Sequence, residues 1–229
     1  MLSRIQLSAI LLVAAVLWAI ALVLQGVRVT AAWFHAFSIV LGILVLLMTL
    51  LDKWAWRWAF LQPWLVHLPD LQGTWETEIR PTASPEHSPQ SNGPVNGFMV
   101  IRQTYSTIRL RLLTEQSSSE DIAARIVRSD DGVFSLAGVY RNTPKLSVRN
   151  RSPLHHGAIL LEVRGNPPSA LDGQYWTDRL SQGELRLARW SPHLVHSFDE
   201  AKLAQSASAT NTPGAKTART TSAKTLVFL

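Results

Sequence analysis

From Leu71 onward, apolar residues recur at every second position through eight short segments, and this period is what most constrains the fold. In Leu71–Arg80 one face reads Leu71, Gly73, Trp75, Thr77 and Ile79, and the other Gln72, Thr74, Glu76, Glu78 and Arg80. That is the alternation of a half-buried strand. The segments that follow are Phe98–Thr104, Thr107–Thr114, Asp121–Arg128, Val133–Asn142, His155–Arg164, Leu171–Arg179 and Glu184–Trp190. Tight turns such as Asp130-Asp131-Gly132 and Ser181-Gln182-Gly183 separate several of them, which predicts an antiparallel meander. Pro81–Gly97 reads as a long polar loop. Eight strands is the size at which a meander closes into a small up-and-down, lipocalin-like barrel, filled with side chains or holding one small ligand. An outer-membrane barrel would turn its apolar face outward, and the face carrying Arg109 and Arg111 is too basic to meet lipid.

Two apolar runs precede the strands. Ile5–Leu24 is twenty residues and Trp33–Leu51 nineteen, with no charge in either and only Arg28 in the break Gln25–Ala32. An apolar helix of about 20 residues crosses a hydrocarbon core of roughly 30 Å, so the runs predict a transmembrane helical hairpin over residues 1–52. The first run exceeds the apolar core of a cleaved signal peptide, usually about 7–15 residues. Arg4 on one side, Arg28 on the other and Lys53 with Arg57 back on the first favour both termini in the cytoplasm. Residues 53–70 hold Trp54, Trp56, Trp58 and Trp64 among Lys53 and Arg57, the pattern of a membrane-interface linker. Residues 71–192 form the barrel domain. Residues 193–229 are low in complexity and polar, and are expected to be a disordered tail.

Composition excludes some chemistry. Without cysteine, neither a disulfide framework nor a thiolate metal site is possible. Walker, GxSxG and HExxH motifs are absent, and His193 with His196 lacks a third ligand. No enzyme, metal or cofactor is therefore expected. The net charge of +6 suits an anionic partner.

Strand parity supplies a candidate site. The inward sets are Phe134, Leu136, Gly138, Tyr140, Asn142; His155, Gly157, Ile159, Leu161, Val163; and Leu171, Gly173, Tyr175, Thr177, Arg179. Each turns from apolar to polar toward the same end of an up-and-down barrel. Tyr140, Asn142, His155, Tyr175, Thr177 and Arg179 should meet at one mouth, opposite the end where the first strand begins. The neighbouring loop, Thr143–Pro153, adds Lys145, Arg149 and Arg151. Such a mouth could bind a small anion containing rings and phosphates.

Several short segments, in this order, resemble a known family. They are Leu71-Gln72-Gly73-Thr74-Trp75, Ile101-Arg102-Gln103-Thr104-Tyr105 and Thr114-Glu115-Gln116-Ser117-Ser118-Ser119, then Tyr140-Arg141-Asn142-Thr143-Pro144, His155-His156-Gly157 and Leu171 to Arg179. Together with two preceding apolar helices they look like the membrane effectors of bacterial cyclic-oligonucleotide antiphage signalling (CBASS), over about residues 5–190. The resemblance implies a β-barrel sensor for a cyclic dinucleotide made by a partner nucleotidyltransferase, with that nucleotide as activating ligand and no cofactor. It further implies self-oligomerisation, contact with inner-membrane lipids, no DNA or RNA partner, and residence in the bacterial inner membrane as a multi-pass protein that, once liganded and oligomerised, disrupts that membrane to cause abortive infection. The competing expectation is a membrane-anchored lipocalin-like carrier or protein-recruiting module.

Overall fold

The computed structural model describes residues 31–62, 66–82 and 93–210, together with helical positions 12, 15–20 and 22–24. Eight strands, β1 (Gly73–Pro81), β2 (Val95–Gln103), β3 (Ile108–Thr114), β4 (Ser117–Arg128), β5 (Phe134–Pro144), β6 (His155–Arg164), β7 (Ala170–Thr177) and β8 (Gln182–Ser191), pair in sequence order. Every neighbouring pair is antiparallel, and β8 returns to β1 to close the barrel. The inward residues follow the expected parity. Leu71, Trp75, Met99, Ile101, Ile108, Leu110, Leu136, Ile159, Leu161, Leu171, Leu185 and Leu187 form one buried cluster. Burying each leucine side chain contributes about 1.5–3 kcal/mol.

The filling is uneven along the axis. Around the start of β1 the interior is solid: Trp75 is fully enclosed and donates its indole N–H to the Leu71 carbonyl at 2.9 Å. Gln103 closes that end, accepting from the Leu71 N–H at 2.8 Å and donating to the Pro69 carbonyl at 2.9 Å. Toward the opposite end the inward positions become small or polar, namely Gly97, Gly138, Ser119, Asn142, Gly157 and Thr177, and the interior opens.

β4 begins at Ser117 rather than Asp121 and breaks register between Asp121 and Ala123. Asp121 serves that irregularity. Its carboxylate accepts from the Leu110 N–H at 2.9 Å and from Arg109 at 3.2 Å, replacing ladder bonds that β3 and β4 do not make beyond Arg111–Leu113.

Outside the barrel three expectations change. Among the described residues, no helix is long and apolar enough to cross a membrane, which overturns the transmembrane hairpin and, with it, the multi-pass inner-membrane placement. Half of the first apolar run and residues 25–30 of the break lie outside the described residues. Helix α1 (Ala31–Lys53) has described side chains over 39–53. The far end of α1 is engaged with the barrel. The Asp52 carboxylate accepts from the Ser106 N–H at 2.9 Å and the Thr104 hydroxyl at 3.3 Å, and its carbonyl accepts from the Tyr105 N–H at 2.9 Å.

The Trp-rich segment is likewise part of the folded unit. Ala55–Arg57 forms a short 3₁₀ turn in which Trp56 is fully buried, while Trp54 and Trp58 are exposed. The Arg57 guanidinium lies 4.9 Å from the Trp56 ring centroid. It pairs with Asp70 at 3.2 Å, donates to the Gln103 carbonyl at 3.0 Å and also reaches the Gln72 side-chain oxygen.

Part of the expected disordered tail is ordered. Helix α2 (Phe198–Thr210) lies against β2, with Val195 and Ala201 buried among Phe98, Val100 and Leu113. Low complexity concealed the apolar residues Leu194 and Val195 just ahead of the helix and Phe198 and Ala201 on it. Residues 211–229 of that expectation lie outside the described residues.

Candidate functional site

The open end of the barrel holds a cavity of about 900 Å³, within the range of small-ligand sites. Its walls are the ends of strands that point away from α1: Ile79 and Pro81, Leu112 and Thr114, Ser117 and Ser119, Tyr140, Asn142 and Pro144, Tyr175 and Thr177. The mouth thus lies at the opposite end from the start of β1, as strand parity predicts.

Two tyrosines dominate it, and each lies beside a glycine on the next strand. Tyr140 is paired with Gly157 and Tyr175 with Gly183. A Cβ on Gly157 would sit 2.5 Å from the Tyr140 ring, and one on Gly183 would sit 2.9 Å from the Tyr175 ring. These glycines are required for close approach of the rings, not for an unusual backbone. Burial, then the neighbouring Tyr175 and Asp178, pushes the Tyr140 hydroxyl up to about 12, and burial raises Tyr175 as well. Both remain neutral donors at ordinary pH. Among the described residues neither hydroxyl has a hydrogen-bond partner.

The polar residues around them are held in place. Asn142 is buried and accepts from the Ser119 hydroxyl at 2.9 Å through its side-chain oxygen. The Thr177 and Ser181 hydroxyls lie 2.6 Å apart. Arg179 donates to the Ser152 hydroxyl at 3.0 Å. His155 Nδ1 lies 3.0 Å from the Pro153 carbonyl. Beneath the rim, Asp178 accepts from the His156 N–H at 3.0 Å, and that bond holds its carboxyl below the ordinary range.

Of the nine residues expected from sequence, Tyr140, Asn142, His155, Tyr175, Thr177 and Arg179 line this cavity together. Lys145, Arg149 and Arg151 do not. They stand on the β5–β6 loop with exposed side chains, and Arg149 donates to the Pro144 carbonyl at 3.3 Å. Sequence reasoning missed Ser119, Ser152 and Ser181, which hold the polar rim. Ser119 lies directly opposite Asn142 in the ladder; starting the fourth strand at Asp121 removed it from view. It also missed Lys202 and Gln205 of α2, which line the same cavity.

Comparison with known proteins agrees with this architecture. The family described as "Cap15, cyclic dinucleotide receptor domain" matches residues 66–189, spanning the barrel from just before β1 into β8. A relative from Staphylococcus schleiferi, "CD-NTase-associated protein 15", is 25% identical over 138 residues, covering 60% of this chain and 70% of its own length.

Proposed function

The chain belongs to the family of Cap15 cyclic dinucleotide receptor domains, a CBASS effector fold, and on that premise we propose how it reads its ligand. The barrel is a cyclic dinucleotide receptor of antiphage defence. In the proposed mode the ligand enters the open end, its bases lie against Tyr140 and Tyr175, and its phosphates are met by Arg179 with Asn142, Thr177 and His155. Lys145, Arg149 and Arg151 form a basic approach on the adjacent loop. The observation that carries this mode is the 900 Å³ mouth, with two rings seated on glycines and unpartnered donors facing into it. Rings offer sequence-tolerant stacking surfaces worth about 1–3 kcal/mol per base, and a guanidinium gives charge-assisted bonds to phosphate.

The proposed output is self-association of liganded chains, with bilayer disruption as its consequence. A ligand drives assembly only if it binds the assembled state better than the free one. Light scattering with and without ligand tests the first step, and dye leakage from vesicles tests the second.

The decisive experiment on binding is thermal unfolding of the full chain with a panel of cyclic di- and trinucleotides. A ligand at 100 times its dissociation constant stabilises by about 2.7 kcal/mol, a shift of several degrees. A selective shift from a cyclic dinucleotide is expected; none from any member of the panel would sink the proposed mode. An apolar carrier remains the competing function, because the barrel is filled only in its closed half. Salt separates the two: a phosphate ligand binds less well as salt rises, and an apolar one does not.

A further inference from the structure

The strands do not build the mouth alone. Phe198, Lys202 and Gln205, spaced to share one helix face, line the same cavity as Tyr140, Asn142 and Tyr175. They belong to α2, which lies beyond the residues 66–189 matched by the family.

The helix is firmly seated. At its start the Ser197 hydroxyl accepts from the Glu200 N–H at 3.2 Å, while the Glu200 carboxylate accepts from the His196 N–H at 2.7 Å, the reciprocal logic of a capping box. Phe198 packs on Phe98 with ring centroids 5.6 Å apart, and Val195 and Ala201 are buried beneath. Lys202 follows directly on the buried Ala201. It is exposed and has no ion-pair partner among the described residues.

Charge on the cavity wall makes this lysine consequential. The carboxylates lining it are Glu115 and Asp121, and Asp121 is committed to Arg109 and the Leu110 N–H. The permanent cations lining it are Arg179 and Lys202. Arg179 follows β7, and Lys202 sits on a helix packed over β2 and β3, so the two stand across the mouth from one another. A cyclic dinucleotide carries two phosphodiester groups on opposite sides of its ring.

We propose that Lys202 contacts the ligand and takes one of these phosphodiesters, Arg179 taking the other, so that α2 is a functional part of the receptor in this chain. The proposal rests on the receptor function above. It is tested on the full chain by equilibrium binding of cyclic di-GMP, cyclic di-AMP and 3′,3′-cyclic GMP–AMP at several salt concentrations. Lys202→Ala should weaken binding five- to tenfold and flatten its salt dependence, Lys202→Arg should stay within about twofold of wild type, and the melting temperature without ligand should not move. If wild type binds and Lys202→Ala matches it at every salt concentration, the role of α2 is overturned while the receptor stands. A fall of several degrees in the unliganded melting temperature of Lys202→Ala would make the residue structural and overturn the proposal equally. If wild type binds none of the three nucleotides, the receptor function fails, and the role of Lys202 with it.

Discussion

Each tyrosine at the mouth depends on the absence of a side chain opposite it. Gly157→Ala would place a methyl 2.5 Å from the Tyr140 ring and 2.7 Å from the Trp176 carbonyl, so ring or strand must move. Such overpacking costs about 1–3 kcal/mol. We expect urea unfolding to register that loss and ligand affinity to fall with it; a variant as stable and as tight-binding as wild type would remove the glycine from the site. The raised Tyr140 hydroxyl has its own signature. In the unfolded chain a tyrosine ionises near its ordinary value of 10, but in the fold Tyr140 holds its proton up to about 12. The folded state therefore binds more protons than the unfolded one across that interval, and stability declines as pH climbs from about 10 to about 12. Tyr140→Phe should lessen that alkaline decline, read as melting temperature against pH.

At the scale of elements, β4 and α2 are where local chemistry departs from simple patterning. Asp121→Ala would strip the acceptor from the Leu110 N–H at the irregularity of β4, leaving a part-buried donor unmet at a cost of about 1–3 kcal/mol. Asp121→Asn keeps an acceptor oxygen and should lose less, a difference that chemical denaturation would resolve. For α2, Ser197→Ala removes the hydroxyl that caps Glu200, an effect of about 1 kcal/mol. Hydrogen exchange should then quicken in the first turn of α2 and stay unchanged in β5 and β6. Alternation made eight strands legible because each strand buries one face in the core, and parity brought six of the nine candidate residues to one cavity. Ser117 and Ser119 were hidden because a run of serines carries no apolar mark, even where the ladder uses them. The capping pattern Ser197-Phe198-Asp199-Glu200 was in plain sight, but the composition beyond it obscured the helix it begins. The two apolar runs were weighed by hydropathy alone, which is blind to the hydrogen bonds that bind Asp52 to the β2–β3 turn.

Across the whole molecule, the closed end of the barrel and the end of α1 are one structure. Arg57 joins Asp70, Gln72 and Gln103 while covering Trp56. Arg57→Ala should lower stability by about 2 kcal/mol, in keeping with the loss of charge-assisted hydrogen bonds, and leave nucleotide affinity at the far mouth within about twofold. An equal loss of affinity would mean that the two ends are energetically coupled. The packed closed half and the roomy open half divide support from recognition, so substitutions can retune the mouth while leaving the foundation alone.

Closure of β8 onto β1 has one last consequence. Along the laddered strands no backbone rail is left on which another chain could be laid, and beyond Arg111–Leu113, where β3 and β4 part, β4 carries Arg125 and Arg128, charges of the kind that blunt an edge against sheet extension. Association of copies is then written mainly in side chains. It is therefore open to dissection by single substitutions, dissolves when those contacts are withdrawn, and is spared the runaway templating by which unguarded strands grow into fibres.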